Sequence, residues 1–224
     1  MKNIIAYSLW GEHPMYWKGA LENIKDAKKY YPNFICRFYV DKKCNNDLIK
    51  SLISDNVEIV LVESLDSFHG MFWRFNASCD PDVDIYLSRD CDSRITEREV
   101  SAVNEWLKSD KDFHIMRDHP YHAVPILGGM WGSRNGLMRE IKLKDLILSW
   151  GQYYKKGIDQ DFLGQKVYPL IMNRAFEHSE FGLYYGGSVN HFPSERKDYE
   201  FVGDVFDENN QRHPDYWKLI KKII

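Results

Sequence analysis

The sequence predicts an α/β domain, one unit over residues 1–224 with a mostly parallel central sheet flanked by helices. Three observations carry that expectation. Apolar runs of strand length alternate with segments of helical spacing from residue 4 to residue 62, a βαβαβ order that calls for a parallel sheet with ligands at the carboxyl ends of its strands. A further apolar run at 83–88 delivers the acidic sequence Arg89-Asp90-Cys91-Asp92 to the point where the chain leaves the sheet. Gly128-Gly129-Met130-Trp131-Gly132 then follows Pro125, and so bare a backbone approaches something closely.

Residues 4–9 form a continuous apolar run, a strand buried on both faces, ended by Gly11. Pro14 suits a first helical position, and Trp17, Leu21, Ile24, Ala27 and Tyr31 recur behind it at helical spacing. Residues 34–40 read as a second strand, 46–54 as a short helix and 57–62 as a third strand. A short aromatic helix is expected at 70–77, then the 83–88 strand. Thr96 followed by Glu99 is a capping box, opening a helix through Trp106 and Leu107. A strand at 113–116 precedes two expected helices, 137–150 and 159–171, the second ending near Pro169. A late strand at 173–177, a polar loop at 198–210 and a terminal helix from Pro214, with Trp217, Ile220 and Ile224 on one face, complete the reading.

Composition narrows the partners. A net charge of -3 argues against a broad nucleic-acid or polybasic membrane surface. No apolar run reaches membrane-spanning length and no secretory cleavage pattern follows the first strand, so a cytoplasmic protein is expected, in the host cytoplasm if viral. Cys36, Cys44, Cys79 and Cys91 show neither Cys-x-x-Cys nor zinc spacing, which leaves reduced, buried thiols.

In an extended chain the side-chain period is two, so Asp90 and Asp92 project to one side. Two carboxylates held together repel unless a cation lies between them, and oxygen ligands suit Mn²⁺ or Mg²⁺. The alternative is a solvated acidic turn neutralised by Arg89 and Arg94. Asp159-Gln160-Asp161, after Gly157, is either a helix cap or a second acidic group facing a reacting carbon. His178 is a candidate third metal ligand with His191 competing, against the plainer role of a core-edge histidine. Arg74, within Phe72-Trp73-Arg74-Phe75, either grips a phosphate or lies across the aromatic cluster. Asp118-His119 and the glycines around Gly129 suit a polyhydroxylated sugar, although Gly129 also suits a bulge.

Taken in order, these motifs resemble those of GT-A glycosyltransferases, in which Asp-x-Asp binds the metal and diphosphate of a nucleotide sugar. Asp159-Gln160-Asp161-Phe162-Leu163 is similar to the Asp-Gln-Asp motif of retaining transferases related to glycogenin and bacterial galactosyltransferases. Phe72 to Phe75, Ser88 to Arg94, Met116-Arg117-Asp118-His119-Pro120 and Ile126 to Gly132 are similar to a set in bacterial and large-virus enzymes, including the capsid-glycosylating kind of chlorella viruses. The resemblance spans residues 3–211. It implies metal-dependent transfer of a hexose or deoxyhexose from a UDP-sugar donor to a glycan or glycoside acceptor. It further implies nucleotide contacts from Ala6, Tyr7, Ser8 and Arg74, metal and diphosphate contacts from Asp90 and Asp92, sugar contacts from Asp118 and Gly129, and a catalytic edge at Asp159, Gln160 and Asp161. The His-x-x-Gly-x-x-Lys-Pro-Trp ending of the glycogenin group is absent, so His178 rests on position alone. Two other classes compete: a haloacid-dehalogenase-type phosphatase with Asp90 as nucleophile and Asp92 as acid/base, and a sugar-nucleotide-binding module without catalysis. Arg94 stands where such phosphatases want Thr or Val.

Overall fold

The computed structural model describes residues 1–63, 68–153 and 155–224. The expected alternation is present as β1 (Lys2–Leu9), α1 (Pro14–Tyr30), β2 (Phe34–Asp41), α2 (Asn46–Ser51) and β3 (Val57–Val62). There follow α3 (Gly70–Trp73), a 3₁₀ segment (Arg74–Cys79), β4 (Val83–Ser88), α4 (Glu97–Lys108), β5 (Phe113–Arg117) and β6 (Trp131–Arg134). The last third holds α5 (Leu143–Trp150), α6 (Ile158–Phe162), α7 (Tyr168–Ile171), β7 (Ala175–Ser179), β8 (Val189–Asn190) and α8 (Pro214–Ile223).

The strands form one eight-stranded sheet in the order β3-β2-β1-β4-β6-β5-β7-β8. Every pairing is parallel except those of β6, which runs against both β4 and β5. The reversal places the site: Trp131, the first residue of β6, pairs with Ser88, the last of β4, so Gly128 and Gly129 arrive beside the residues that leave β4.

Strand alternation divides β1 between two cores. Ile4 and Ala6 face Phe72, Trp73, Phe75, Phe162 and Val167, whereas Ile5, Tyr7 and Leu9 face Trp17, Ala20, Ile24 and Ala27 of α1 and Val103 and Trp106 of α4. Both faces of β1 are therefore dry from Ile4 onward, which is why that strand reads as an apolar run. Each fully buried large side chain contributes about 1.5–3 kcal/mol by removal from water.

Several expectations are corrected. The helix read over 137–150 is broken, because Gly136 and Lys142 both take left-handed backbone, φ 61° and 54°, and α5 starts only after them. The 159–171 run is α6, a π-turn (Leu163–Val167) and α7, and the wide turn lets Pro169 enter as an opening residue of α7 rather than end the run. The late strand lies two residues downstream of its expected place, so His178 is inside it. Thr96 does cap α4, its Oγ1 accepting from the Glu99 N–H at 3.2 Å, but the Glu99 carboxylate turns to Arg89 and the reciprocal half of the box is not made. Ile220 of α8 is buried, while Ile224 is 70% exposed. All four cysteines are free and buried. Among the described residues, no helix is long and apolar enough to cross a membrane.

Candidate active site

A cavity of about 680 Å³ opens where β1 and β4 end, the position at which parallel α/β sheets bind ligands. Ser8, Trp10 and Glu12 are on its wall, as are Arg74, Asp90, Asp92, Asp159 and Gln160.

The acidic turn is held from three sides. Gly19 of α1 lies so near the Cys91 carbonyl that any β-carbon there would collide with it. Asn23, one turn on, donates from Nδ2 to the Ser93 carbonyl at 2.8 Å and to that of Cys91 at 3.4 Å. The Cys91 thiol is buried toward the Ser8 carbonyl at 3.7 Å, and the Phe206 N–H donates to the Asp92 carbonyl at 2.8 Å. With Cys91 turned inward, Asp90 and Asp92 both face the cavity; they sit in a turn beyond β4, not on the strand itself.

Arg89 and Arg94 do not neutralise this pair. Arg89 is spent on Glu99 at 2.8 Å, and Arg94 on Asn210 Oδ1 at 3.0 Å and on backbone carbonyls. The Asp92 carboxylate has no side-chain partner among the described residues. Burial first, and then Asp90, push its pKa up to about 6, with Lys156 opposing.

Arg74 ties the site together. Its Nη1 pairs with Asp90 Oδ1, its Nη2 with Asp159 Oδ2 at 3.0 Å, and its backbone N–H donates to Ser8 Oγ at 3.0 Å. The Arg74 guanidinium thus joins the turn after β4 to α6, and its backbone ties both to β1. Asp159 is 3% exposed; burial raises its pKa, and Arg74 counteracts that rise. The loop before β6 fits under both carboxylates because it has no side chains there. A β-carbon on Gly128 would strike Asp159 and Arg74, and one on Gly129 would strike Asp90. Ser88 Oγ fixes the loop by donating to the Gly128 carbonyl at 2.6 Å.

Of the expected site residues, Ser8, Arg74, Asp90, Asp92, Asp159 and Gln160 line the cavity, and Gly129 lies directly under Asp90. The others do not line it. Ala6 and Tyr7 are fully buried, Tyr7 stacked on Phe38 at 4.8 Å, so the strand contributes its end and not its middle. Asp161 points away, ion-paired with Lys155 at 2.7 Å beside a separate hollow near Trp150 and Lys166. Successive helical residues are about 100° apart around the axis, so positions 159 and 161 cannot share a face. Asp118 is fully buried and committed: Arg98 grips it at 2.8 and 3.0 Å, Arg196 at 2.5 Å, and the Val202 N–H donates to it at 3.0 Å.

His178 does not line the cavity. It is fully buried in β7, its Nδ1 against His114 Nε2 at 2.8 Å and its Nε2 against Glu105 Oε2 at 2.9 Å, and burial lowers its pKa. His191 is outside as well, 89% exposed along its side chain and beside Glu180. Sequence reasoning missed Tyr16, Lys156 and the ring cluster of Tyr121, His122, Phe201 and Tyr216, all on the cavity wall. The signal for that cluster is the run Asp118-His119-Pro120-Tyr121-His122 directly after a strand, whose last two residues lie just beyond the motif that ends at Pro120.

No family model matches the sequence, and no curated protein does. Solved structures do match. A glycosyltransferase involved in glycosylation of the major capsid of PBCV-1 superposes with TM-score 0.53 at 13% identity, over 80% of this chain and 82% of that one. Galactosyltransferase LgtC, in complex with donor and acceptor sugar analogues, gives 0.52 at 15% over 79% and 73%. The chain has the GT-A fold. An active-site mutant of LgtC extends the match to 99% of this chain and 95% of that one, with TM-score 0.52 and 11% identity. A 4-diphosphocytidyl-2C-methyl-D-erythritol synthase from Anaerococcus prevotii shares the fold too, at 0.51 and 12% over 84% and 93%. The GT-A fold therefore carries more than one chemistry, and the reaction has to be argued from the site.

Proposed function

We propose that this GT-A domain is a metal-dependent, retaining glycosyltransferase that moves a hexose or deoxyhexose from a UDP-sugar to a glycan or glycoside acceptor, such as that of a viral capsid or a surface polysaccharide. The observation that carries the reading is convergence: Asp90 and Asp92 after β4, Arg74 after α3, and Asp159 and Gln160 on α6 meet in one cavity at the carboxyl end of the sheet. The names of the PBCV-1 and LgtC neighbours support it.

The donor set fits a hard divalent ion. Asp92 offers an unpartnered carboxylate, and Asp90 keeps one oxygen beyond its pairing with Arg74. Among the described residues no group of three His, Cys, Asp or Glu could close a shell, so the remaining positions fall to water and diphosphate oxygens, as Mn²⁺ and Mg²⁺ accept. When bound, the ion offsets the charge that builds on the departing diphosphate.

The residues of the chain do the rest. The nucleotide lies against the end of β1, at Ser8 and Trp10. Lys156, on the wall without an ion pair among the described residues, brings a further positive charge toward the diphosphate. Arg74 holds Asp90 and Asp159 in register, so the diphosphate site and the sugar site cannot drift apart. Asp159 and the Gln160 amide meet the hydroxyls of the donor sugar and steady the anomeric carbon as positive charge grows there. Retention rests on the likeness of Asp159-Gln160-Asp161 to the retaining group.

The test is donor hydrolysis and melting temperature with UDP-, GDP- and CMP-sugars, each with and without Mn²⁺. UDP-sugars are expected to stabilise most and to be hydrolysed only with metal, since a ligand bound to the native state alone raises its stability. If no nucleotide sugar stabilises the protein, the reading falls. Turnover of a phosphate monoester dependent on Asp90 would favour the phosphatase instead.

A further inference from the structure

One part of the cavity wall differs in chemistry from the acidic group. It is made of rings: Tyr121, 66% exposed, with His119, His122, Phe201 and Tyr216. His119 lies 4.5 Å from Phe201, 5.1 Å from Tyr121 and 5.8 Å from Tyr216, centroid to centroid.

The two histidines are not equivalent. His119 uses both ring nitrogens on backbone, Nδ1 accepting from the Tyr121 N–H at 3.0 Å and Nε2–H donating to the Tyr216 carbonyl at 3.1 Å, so it straps α8 to the loop. His122 uses only one. Its Nδ1 accepts from the Asp118 N–H at 3.0 Å, which places the proton on Nε2, and Nε2–H has no protein partner among the described residues. The residue is only 7% exposed and lines the cavity, so its remaining donor is available to a ligand there. Asp118, clamped by Arg98, Arg196 and the Val202 N–H, cannot move away and free Nδ1.

We propose that this wall is the saccharide subsite for the acceptor, with His122 donating from Nε2–H to a sugar hydroxyl, the exposed ring of Tyr121 covering the apolar face of the pyranose, Tyr216 standing edge-on beside it, and Asp118 as the positioning residue that fixes the His122 tautomer. The assignment to the acceptor rests on the function proposed above; the saccharide chemistry rests on the wall itself. A neutral donor beside flat rings suits a polyhydroxylated ring, which offers hydroxyls on its rim and C–H groups on its face, and not an anion. Burial, with His119, Arg196 and Arg117 acting in the same direction, holds the His122 pKa down at about 3, so the donor stays uncharged through the physiological range although Asp118 is adjacent.

Saturation-transfer NMR tests this on the full chain with UDP and Mg²⁺ present, using the methyl glycosides of glucose, galactose, mannose and rhamnose. The parent is expected to pass saturation to ring protons of at least one glycoside. His122→Asn keeps an acceptor for the Asp118 N–H but loses the far donor, and should cut that signal at least fivefold with UDP signals unchanged. His122→Gln, which restores a donor near the Nε2 position, should recover most of it. Ring ¹⁵N shifts of His122 should report the Nε2–H tautomer from pH 5 to pH 8. UDP signals without any glycoside signal, an undiminished glycoside signal in His122→Asn, or a titrating His122 would each overturn the subsite. Glycoside binding that depends on His122 but without UDP binding would overturn the donor reading and leave the subsite standing.

Discussion

Gly129 lies so close beneath Asp90 that a β-carbon at position 129 would fall well inside 3.0 Å of the Asp90 carboxylate. Gly128 stands in the same relation to Asp159. Neither glycine has positive φ among the described residues, so the sequence uses them for space and not for unusual backbone.

Gly129→Ala should therefore fold, at a cost of about 1–3 kcal/mol for the overpacked contact. The half-exposed Asp90 carboxylate gives way first, and affinity for UDP-sugar with Mn²⁺ should fall at least tenfold. Titration calorimetry beside a thermal melt checks this, and parental affinity would separate Gly129 from the donor site.

Asp92 makes the site unstable in a pH-dependent manner. Its folded pKa, about 6, lies above the ordinary carboxylate value, so the native state holds the proton more tightly than the unfolded chain does. The resulting cost is absent near pH 4, grows between pH 4 and 6 and is complete above pH 6. Asp92→Asn should be more stable than the parent at pH 8 by something on the order of 2 kcal/mol, and equal to it at pH 4. The variant should also lose the rise in melting temperature that Mn²⁺ gives the parent; melts at pH 4, 6 and 8 with and without metal read both effects.

The acidic residues of α6 should separate in kinetics. Asp161→Asn removes only the outer ion pair to Lys155 and should leave turnover within about threefold, whereas Asp159→Asn and Gln160→Ala should lower kcat by about 100-fold or more with little change in donor KM. A collapse of turnover in Asp161→Asn would place the catalytic edge on the other side of the helix.

His178→Ala should leave Mn²⁺ affinity unchanged and weaken the fold by about 2–3 kcal/mol, because His114 and Glu105 lose their shared partner and a buried space opens. Calorimetric metal titration and denaturant unfolding distinguish this from a ligand, whose loss would appear in the first measurement.

What the sequence disclosed follows the range of the interactions. β1 is legible because burial on both faces writes an apolar run, β3, partly exposed at the sheet edge, because its Val and Ile residues favour extended chain, and the Thr96 cap because it lies within one helical turn of its partner. Asp90, Asp92, Arg74 and Asp159 are legible as chemistry, but the joining of Asp90 to Asp159 by the Arg74 guanidinium is not, since the Arg74–Asp159 contact spans 85 positions. Asp118 misled for the same reason: its neutralising partners, Arg98 and Arg196, lie 20 and 78 positions away, and a local reading sees only a free carboxylate at a strand end. Asp161 is different. Its opposition to Asp159 follows from helical periodicity and was available in the sequence; the extended-chain rule that served Asp90 and Asp92 does not carry to a helix.

The reversed strand β6 makes the cavity a gauge of sheet alignment. The glycines that accommodate Asp90 and Asp159 are fixed to β6, and the carboxylates to β4 and α6, so their fit holds in one pairing of Trp131 with Ser88. A slip of one residue would displace the glycines by about 3.4 Å and turn every β6 side chain to the opposite face. Gly128 or Gly129 would then be replaced under the carboxylates by Leu127 or Met130, whose side chains the space cannot hold. A chain with the wrong pairing would fail to assemble this cluster of carboxylates at all, so formation of the proposed donor site and correct strand registration are one and the same event.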